Sequence, residues 1–228
     1  MLIAAHRPTL RALLAAALAC AASAASAHPH VWVTAKAQLV YADGRLVGVR
    51  DTWRFDPEYT AFVTQGLDAN KDGTLSPDEL AGLAAENAAN LAEFGYFTKL
   101  KVGGREQAFA EPEEPAARME DGALVMTFLL PLKNPVQQGR GVAALEVYDP
   151  TYFVAFAFAD GSDAATLAGA PQGCAATVTR PKTEPPKIAQ PETAEAGSPG
   201  MTEAFFEALT AASGYGVQFA SRVLVACP

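Results

Sequence analysis

Residues 31–56 read VWVTAKAQLVYADGRLVGVRDTWRFD, and apolar and polar side chains alternate along them on both sides of Asp43-Gly44. A period of two is the pattern of a strand with one buried face. Asp-Gly between two such runs signals a tight hairpin, because a two-residue turn that matches the strand twist needs positive φ at its centre. The pattern predicts strands over about 30–41 and 45–55. At Asp56-Pro57-Glu58 the alternation breaks. Asp56 can cap a helix, proline suits the first helical position, and Glu58 complements the positive end of the helix dipole. A short helix is therefore expected over about 57–67.

Outward from that hairpin, residues 77–95, PDELAGLAAENAANLAEFG, carry helical spacing. Leu80, Leu83, Asn87 and Leu91 fall near one face, and Gly95 is the expected stop. The strand pattern then returns. YFTKLKV and REQAFAE flank Gly103-Gly104 as a second hairpin, and ALVMTFLLPL, GVAALEVYD, YFVAFAFA and CAATVTRP are four further strand candidates. Residues 111–117, with two prolines and three glutamates, read as an exposed loop. The expected fold class is α+β, mainly β: sandwich-like antiparallel sheets of about eight strands with one helix-loop-helix inserted.

The chain of 228 residues opens on an export signal. Arg7 and Arg11 are basic, ALLAAALACAA over 12–22 is apolar but too short to span a bilayer, and Ala25-Ser26-Ala27 has the small-x-small form of a cleavage site. The expected organisation is a signal peptide over 1–27 and a β-rich domain over 28–180 with the helical insertion at 57–95. A Pro-rich linker or loop over 181–200 follows. Residues 201–228 should form an amphipathic helix, MTEAFFEALTAAS, and a last strand, YGVQFASRVLVAC, packing back on the main domain. The compartment expected is the periplasm, with no membrane-spanning segment after cleavage. Cys174 and Cys227 remain once the signal is removed, and an even pair in an oxidising compartment reads as one disulfide. The formal net charge of −8 argues against nucleic acid, which needs clustered Lys and Arg.

The sharpest chemical signal is DANKDGTLSPDE, residues 68–79. It has the twelve-residue form of an EF-hand loop. Asp68, Asn70 and Asp72 stand at positions 1, 3 and 5, where side-chain oxygens reach a hard cation. Gly73 stands where the chain must turn sharply, Thr74 offers its carbonyl, Ser76 can ligate directly or through water, and Glu79 can supply two oxygens. Numerous, flexibly spaced oxygen donors select calcium over zinc or copper, which prefer nitrogen or sulfur. Only one such loop occurs, and Gly66 shortens the entering helix, which points to a structural or weak site.

Two of the three histidines form a second, separate candidate. After cleavage His28 would carry a free amine, and its amine and Nδ1 could chelate one ion. His30, two residues on, would share its strand face. Nitrogen donors suit nickel, cobalt, zinc or copper. Pro29 has no N–H, which excludes the copper/nickel mode that uses deprotonated amides. The plain alternative is a solvated terminus, or His30 packed at the strand start beside Trp32. With no histidine beyond residue 30, most Ser-His and Cys-His schemes are removed. No nucleotide-binding glycine motif or nucleophile elbow occurs. The chain is expected to be a binding protein and not an enzyme.

HPHVWV at the signal boundary, DGRLVGVRDTWRFD, the acidic loop running into LSPDELAGLAAENAANLAEFGYFTKL, VYDPTYFVAFAF with GAPQGC, and the closing FASRVLVAC together resemble the bacterial exported family catalogued as domain of unknown function 1007. That family is described as the periplasmic component of an uncharacterised ABC-type transport system, and its members are placed beside nickel/cobalt-type permeases. The resemblance implies a metal-handling inner-membrane permease, or another envelope protein, as partner. The alternative is a calcium-stabilised structural or protein-interaction module of the envelope with no transport role.

Overall fold

The computed structural model describes residues 29–181 and 216–228. The signal peptide, His28, nearly all of the 181–200 segment and the helix expected over 201–213 lie outside the described residues.

The hairpin forms as its pattern predicts. Strands β1 (Val31–Ala42) and β2 (Arg45–Phe55) pair antiparallel across a turn with Asp43 at φ 50° and Gly44 at φ 72°. The inward set from β1 includes Val33, Ala35, Ala37, Leu39 and Tyr41, all buried. β2 then enters helix α1 (Pro57–Val63). Asp56 caps it by accepting from Tyr59 N–H and, through its other oxygen, from Trp32 N–H at 2.8 Å. One carboxylate thus fixes the helix to the first strand. The helix is shorter than expected because Gly66 sits at φ 80° and the chain leaves helical geometry after Val63.

Helix α2 (Pro77–Asn90) starts in a capping box between Ser76 and Glu79. Its fully buried residues are Leu80, Ala84 and Ala88, and Leu83 and Leu91 of the expected stripe pack half-buried beside them. A 3-10 segment (Leu91–Phe97) follows, with Gly95, Tyr96 and Phe97 all at positive φ.

The remaining strands are β3 (Thr98–Val102), β4 (Arg105–Glu106), β5 (Glu113–Glu120), β6 (Ala123–Val136), β7 (Val142–Val147), β8 (Val154–Phe158), β9 (Ala165–Ala168), β10 (Ala175–Thr179) and β11 (Ser221–Ala226). One sheet runs β5-β6-β2-β1-β8, with β9 also paired to β1. The other runs β10-β11-β7-β3-β4. Both contribute to one core that includes Leu39, Val49, Trp53, Phe128, Leu145 and Val223, which makes the body a mainly β sandwich.

Three expectations are corrected. Residues 113–120 are an edge strand, not a loop: β5 pairs with β6, and an edge tolerates proline because one side of the strand needs no N–H donors. REQAFAE gives only the two-residue β4, with Phe109 making an isolated bridge to Leu132. The sheets are not wholly antiparallel, since β8 and β9 run parallel to β1.

The last strand lies inside the second sheet, between β10 and β7. The disulfide Cys174–Cys227 joins it to the start of β10. It is reached through a 3-10 turn at Gly216–Phe219. A Cβ at Gly216 would lie 1.8 Å from the Asp149 carbonyl oxygen, so this return path admits only glycine. At the same time Gln138, buried, accepts from the Tyr41 hydroxyl and donates to the Val225 carbonyl, which ties β1 to β11. Burial pushes the Tyr41 phenol up to about 12.

Candidate functional site

Asp68, Asn70, Asp72, Thr74 and Ser76 lie between α1 and α2 and Glu79 lies in the first turn of α2, and local hydrogen bonds curl the loop. Asp68 accepts from Gly73 N–H at 3.0 Å and from Asp72 N–H at 3.2 Å. Asn70 Oδ1 accepts from Asp72 N–H at 2.9 Å. Asp72 Oδ1 accepts from Thr74 N–H and from its hydroxyl, at 2.8 and 2.7 Å. Short Asp and Asn side chains bond the backbone two to five residues on, and this curls the chain. Gly73, at φ 82°, takes the sharp turn a side chain would resist. Lys71 is also left-handed, at φ 59°.

Glu79 closes the loop. Its Oε1 accepts from Ala69 N–H at 2.9 Å, ten residues back, while its Oε2 accepts from Ser76 N–H and Oγ. The last residue of the twelve therefore touches the first turn of the same loop. Leu75 anchors the loop on a small satellite core of Leu80, Ala84, Ala117 and Leu124. That core sits between α2, β5 and β6, and burying a leucine of this kind contributes about 1.5–3 kcal/mol. Thr60 of α1 is tied to the same place, its hydroxyl accepting from Leu124 N–H.

The electrostatics keep the loop ionised. Hydrogen bonds from the Thr74 side chain, and then from its backbone, hold the Asp72 carboxyl below the usual carboxylate range. The Ser76 backbone N–H, followed by its side chain, does the same for Glu79. Both Asp68 oxygens and Asp72 Oδ2 accept one bond each and keep a lone pair free, whereas Asp72 Oδ1 and both Glu79 oxygens already accept two, which a bound cation would have to displace. The donor set, all hard oxygen with Glu79 able to give two, suits calcium. Among the described residues no three His, Cys, Asp or Glu side chains are drawn into a metal-sized cluster; Asp68, Asp72 and Glu79 are each tied to loop N–H groups.

The two metal candidates are separate. His30 is exposed, its N–H donates to the Phe153 carbonyl, and its ring lies 4.9 Å from that of Phe153. It packs on Phe153 at the strand start. Cys174 and Cys227, the third set of site residues, are joined.

One residue of chemical interest was not anticipated. Asp51 is fully buried in the sandwich. Its signal was its parity: it stands between Val49 and Trp53 on the inward face of β2, where a polar residue breaks the alternation.

The profile of the family described as "Protein of unknown function (DUF1007)" matches residues 13–227. The chain belongs to the DUF1007 family. A relative described as "Uncharacterized protein", from Haemophilus influenzae, is 20% identical over 205 residues, covering 88% of this chain and 91% of its own. Another, "Uncharacterized 15.5 kDa protein in trpE 3'region" of Spirochaeta aurantia, is 30% identical over 91 residues, covering 40% of this chain and 64% of its own. No solved structure matches. Among the described residues of this DUF1007 protein no helix is long and apolar enough to cross a membrane.

Proposed function

We propose that this DUF1007 protein is an exported calcium-binding protein that serves as an accessory component of a membrane transport system. The observation that carries the calcium reading is the closure of residues 68–79 on themselves. Glu79 reaches back to Ala69 while Asp68 reaches forward to Gly73, which ties the end of the loop to its start. In this reading Asp68, Asn70, Asp72, Thr74, Ser76 and Glu79 hold the ion, and the ion braces α1 and α2 against β5 and β6. The protein acts by binding and not by catalysis.

The export reading rests on the leader-like first 27 residues and on the disulfide, a bond that persists in oxidising compartments. The transport reading rests on the family resemblance, which places a nickel/cobalt-type permease beside such proteins. His28 and His30 are then the residues that would take up nickel, cobalt, zinc or copper at the processed N-terminus. Two experiments test these parts separately. Millimolar calcium raises the melting temperature of the wild-type protein and not of Glu79→Ala; an unchanged melting temperature removes the calcium reading. Metal analysis of protein whose N-terminus is confirmed by mass finds a stoichiometric transition metal that is lost in His28→Ala/His30→Ala. Its absence from the wild type leaves a calcium-stabilised envelope module without a transport role.

A further inference from the structure

The carboxyl of Asp51 lies between the two sheets and is wholly removed from solvent. Its Oδ1 has no hydrogen-bond partner, and its Oδ2 meets the Thr98 hydroxyl at 3.4 Å. That hydroxyl also meets the Tyr96 carbonyl at 2.9 Å. A hydroxyl has one proton to donate, and the carbonyl contact is the shorter. The contact with Asp51 is then a full hydrogen bond only when Asp51 carries the proton and donates it to Thr98.

Among the described residues no opposite charge pairs with the ionised form. The cross-strand partners of Asp51 are Ala37 on β1 and Phe128 on β6, and its same-face neighbours on β2 are Val49 and Trp53. On β2 the adjacent Arg50 pairs with Glu114. On β3 the adjacent Lys99 is exposed, with its ammonium 5.2 Å from the Tyr148 ring centroid. Helix α2 gives Ala88 to the core, and Glu86 and Glu93 are exposed. The Tyr96 ring lies against Phe109.

The residues this chain of bonds reaches are strained. Tyr96 and Phe97 stand at φ 58° and 48°, a region that costs a bulky side chain of order 1–3 kcal/mol. They are held by the Thr98 hydroxyl on the Tyr96 carbonyl, by Tyr148 N–H on the Phe97 carbonyl at 2.8 Å, and by the Phe97 ring among Trp53, Phe94 and Phe156.

We propose that Asp51, Thr98 and the turn at residues 95–97 form a proton-dependent latch: the neutral acid donates to Thr98, Thr98 donates to the Tyr96 carbonyl and keeps the left-handed turn shut, and ionisation of Asp51 loosens it. Burial raises the Asp51 pKa to about 7, against a smaller lowering by Thr98. The sign follows. The closed state holds its proton up to about pH 7, whereas an open, hydrated Asp51 releases it near 4. Opening is therefore favoured about tenfold more for each pH unit between roughly 4 and 7, and levels off above.

Hydrogen exchange on the intact protein tests this. Protection at Thr98 and Tyr148 should fall by up to about tenfold per pH unit across that window, while Val49 in the central strand keeps its protection. Asp51→Asn should make protection at Thr98 and Tyr148 independent of pH over the same range. The carboxyl carbon of Asp51, followed by NMR in the wild type, should titrate near 7, and this readout does not depend on the variant folding. Titration near 4, an unchanged pH profile in Asp51→Asn, or a loss of protection shared equally by Val49 each overturns the latch.

Discussion

Two groups of acids in this molecule share one functional group and face opposite surroundings. In residues 68–79 the carboxylates of Asp68, Asp72 and Glu79 accept hydrogen bonds from loop N–H or hydroxyl groups, and those bonds lower the pKa of Asp72 and Glu79. In the sandwich, Asp51 has lost its water, has one long contact and an unpartnered oxygen, and burial pushes its carboxyl up to about 7. The contrast shows that an acid's role here is set by what replaces its hydration. Where loop N–H and hydroxyl donors meet it, the acid is held in its charged form. Where apolar side chains replace it, the acid stays neutral and becomes a donor itself.

The comparison can be broken most forcefully at Phe128, whose ring stands cross-strand from Asp51 and packs on Trp53 at 4.9 Å. Phe128→Ala should cost about 3–5 kcal/mol in chemical denaturation. By admitting water it should also bring the Asp51 titration down toward 4; an unmoved titration means that apolar burial is not the cause. A gain comes next. At pH 8 the wild type carries an ionised Asp51 in its core, so Asp51→Asn should be more stable by roughly 1–3 kcal/mol, after the cost of an imperfectly bonded amide. That advantage should vanish at pH 4, and a variant less stable at both pH values contradicts the neutral-acid reading. On the loop side, Ser76→Ala removes the cap of α2 and should cost about 1 kcal/mol without calcium. The smallest effect lies in acid. Asp72 and Glu79 have lowered folded pKa values, so their contribution is complete above about pH 4 and is lost as the pH falls through those values. Asp72→Asn should flatten that acid limb and leave the profile between pH 5 and 8 unchanged.

The first hairpin and the sharp turn at Gly73 were legible in the sequence because their signals are local: Asp43-Gly44 and Gly73 declare positive φ. Distant context decided the rest. Pro112 and Pro115 with three glutamates read as a loop, yet β6 offers residues 113–120 an edge on which proline and outward charge are tolerated. Four residues, 165–168, form a strand only because β1 presents a parallel partner after β8 ends. Leu83 and Leu91 do pack against the cores, half-buried, while the fully buried positions of α2 are Leu80, Ala84 and Ala88. Asp51 reads as an ordinary polar position until β2 is placed at the centre of a sheet with a second sheet over it.

The central claim is that residues 68–79 form a calcium site, and calorimetric titration of the full chain addresses it most directly. The account predicts one calcium ion per chain in the weak range, about 10⁻⁴–10⁻³ M, with binding lost in Glu79→Ala and unaffected by His30→Ala. No binding heat at 10 mM calcium, or undiminished binding in Glu79→Ala, would contradict it.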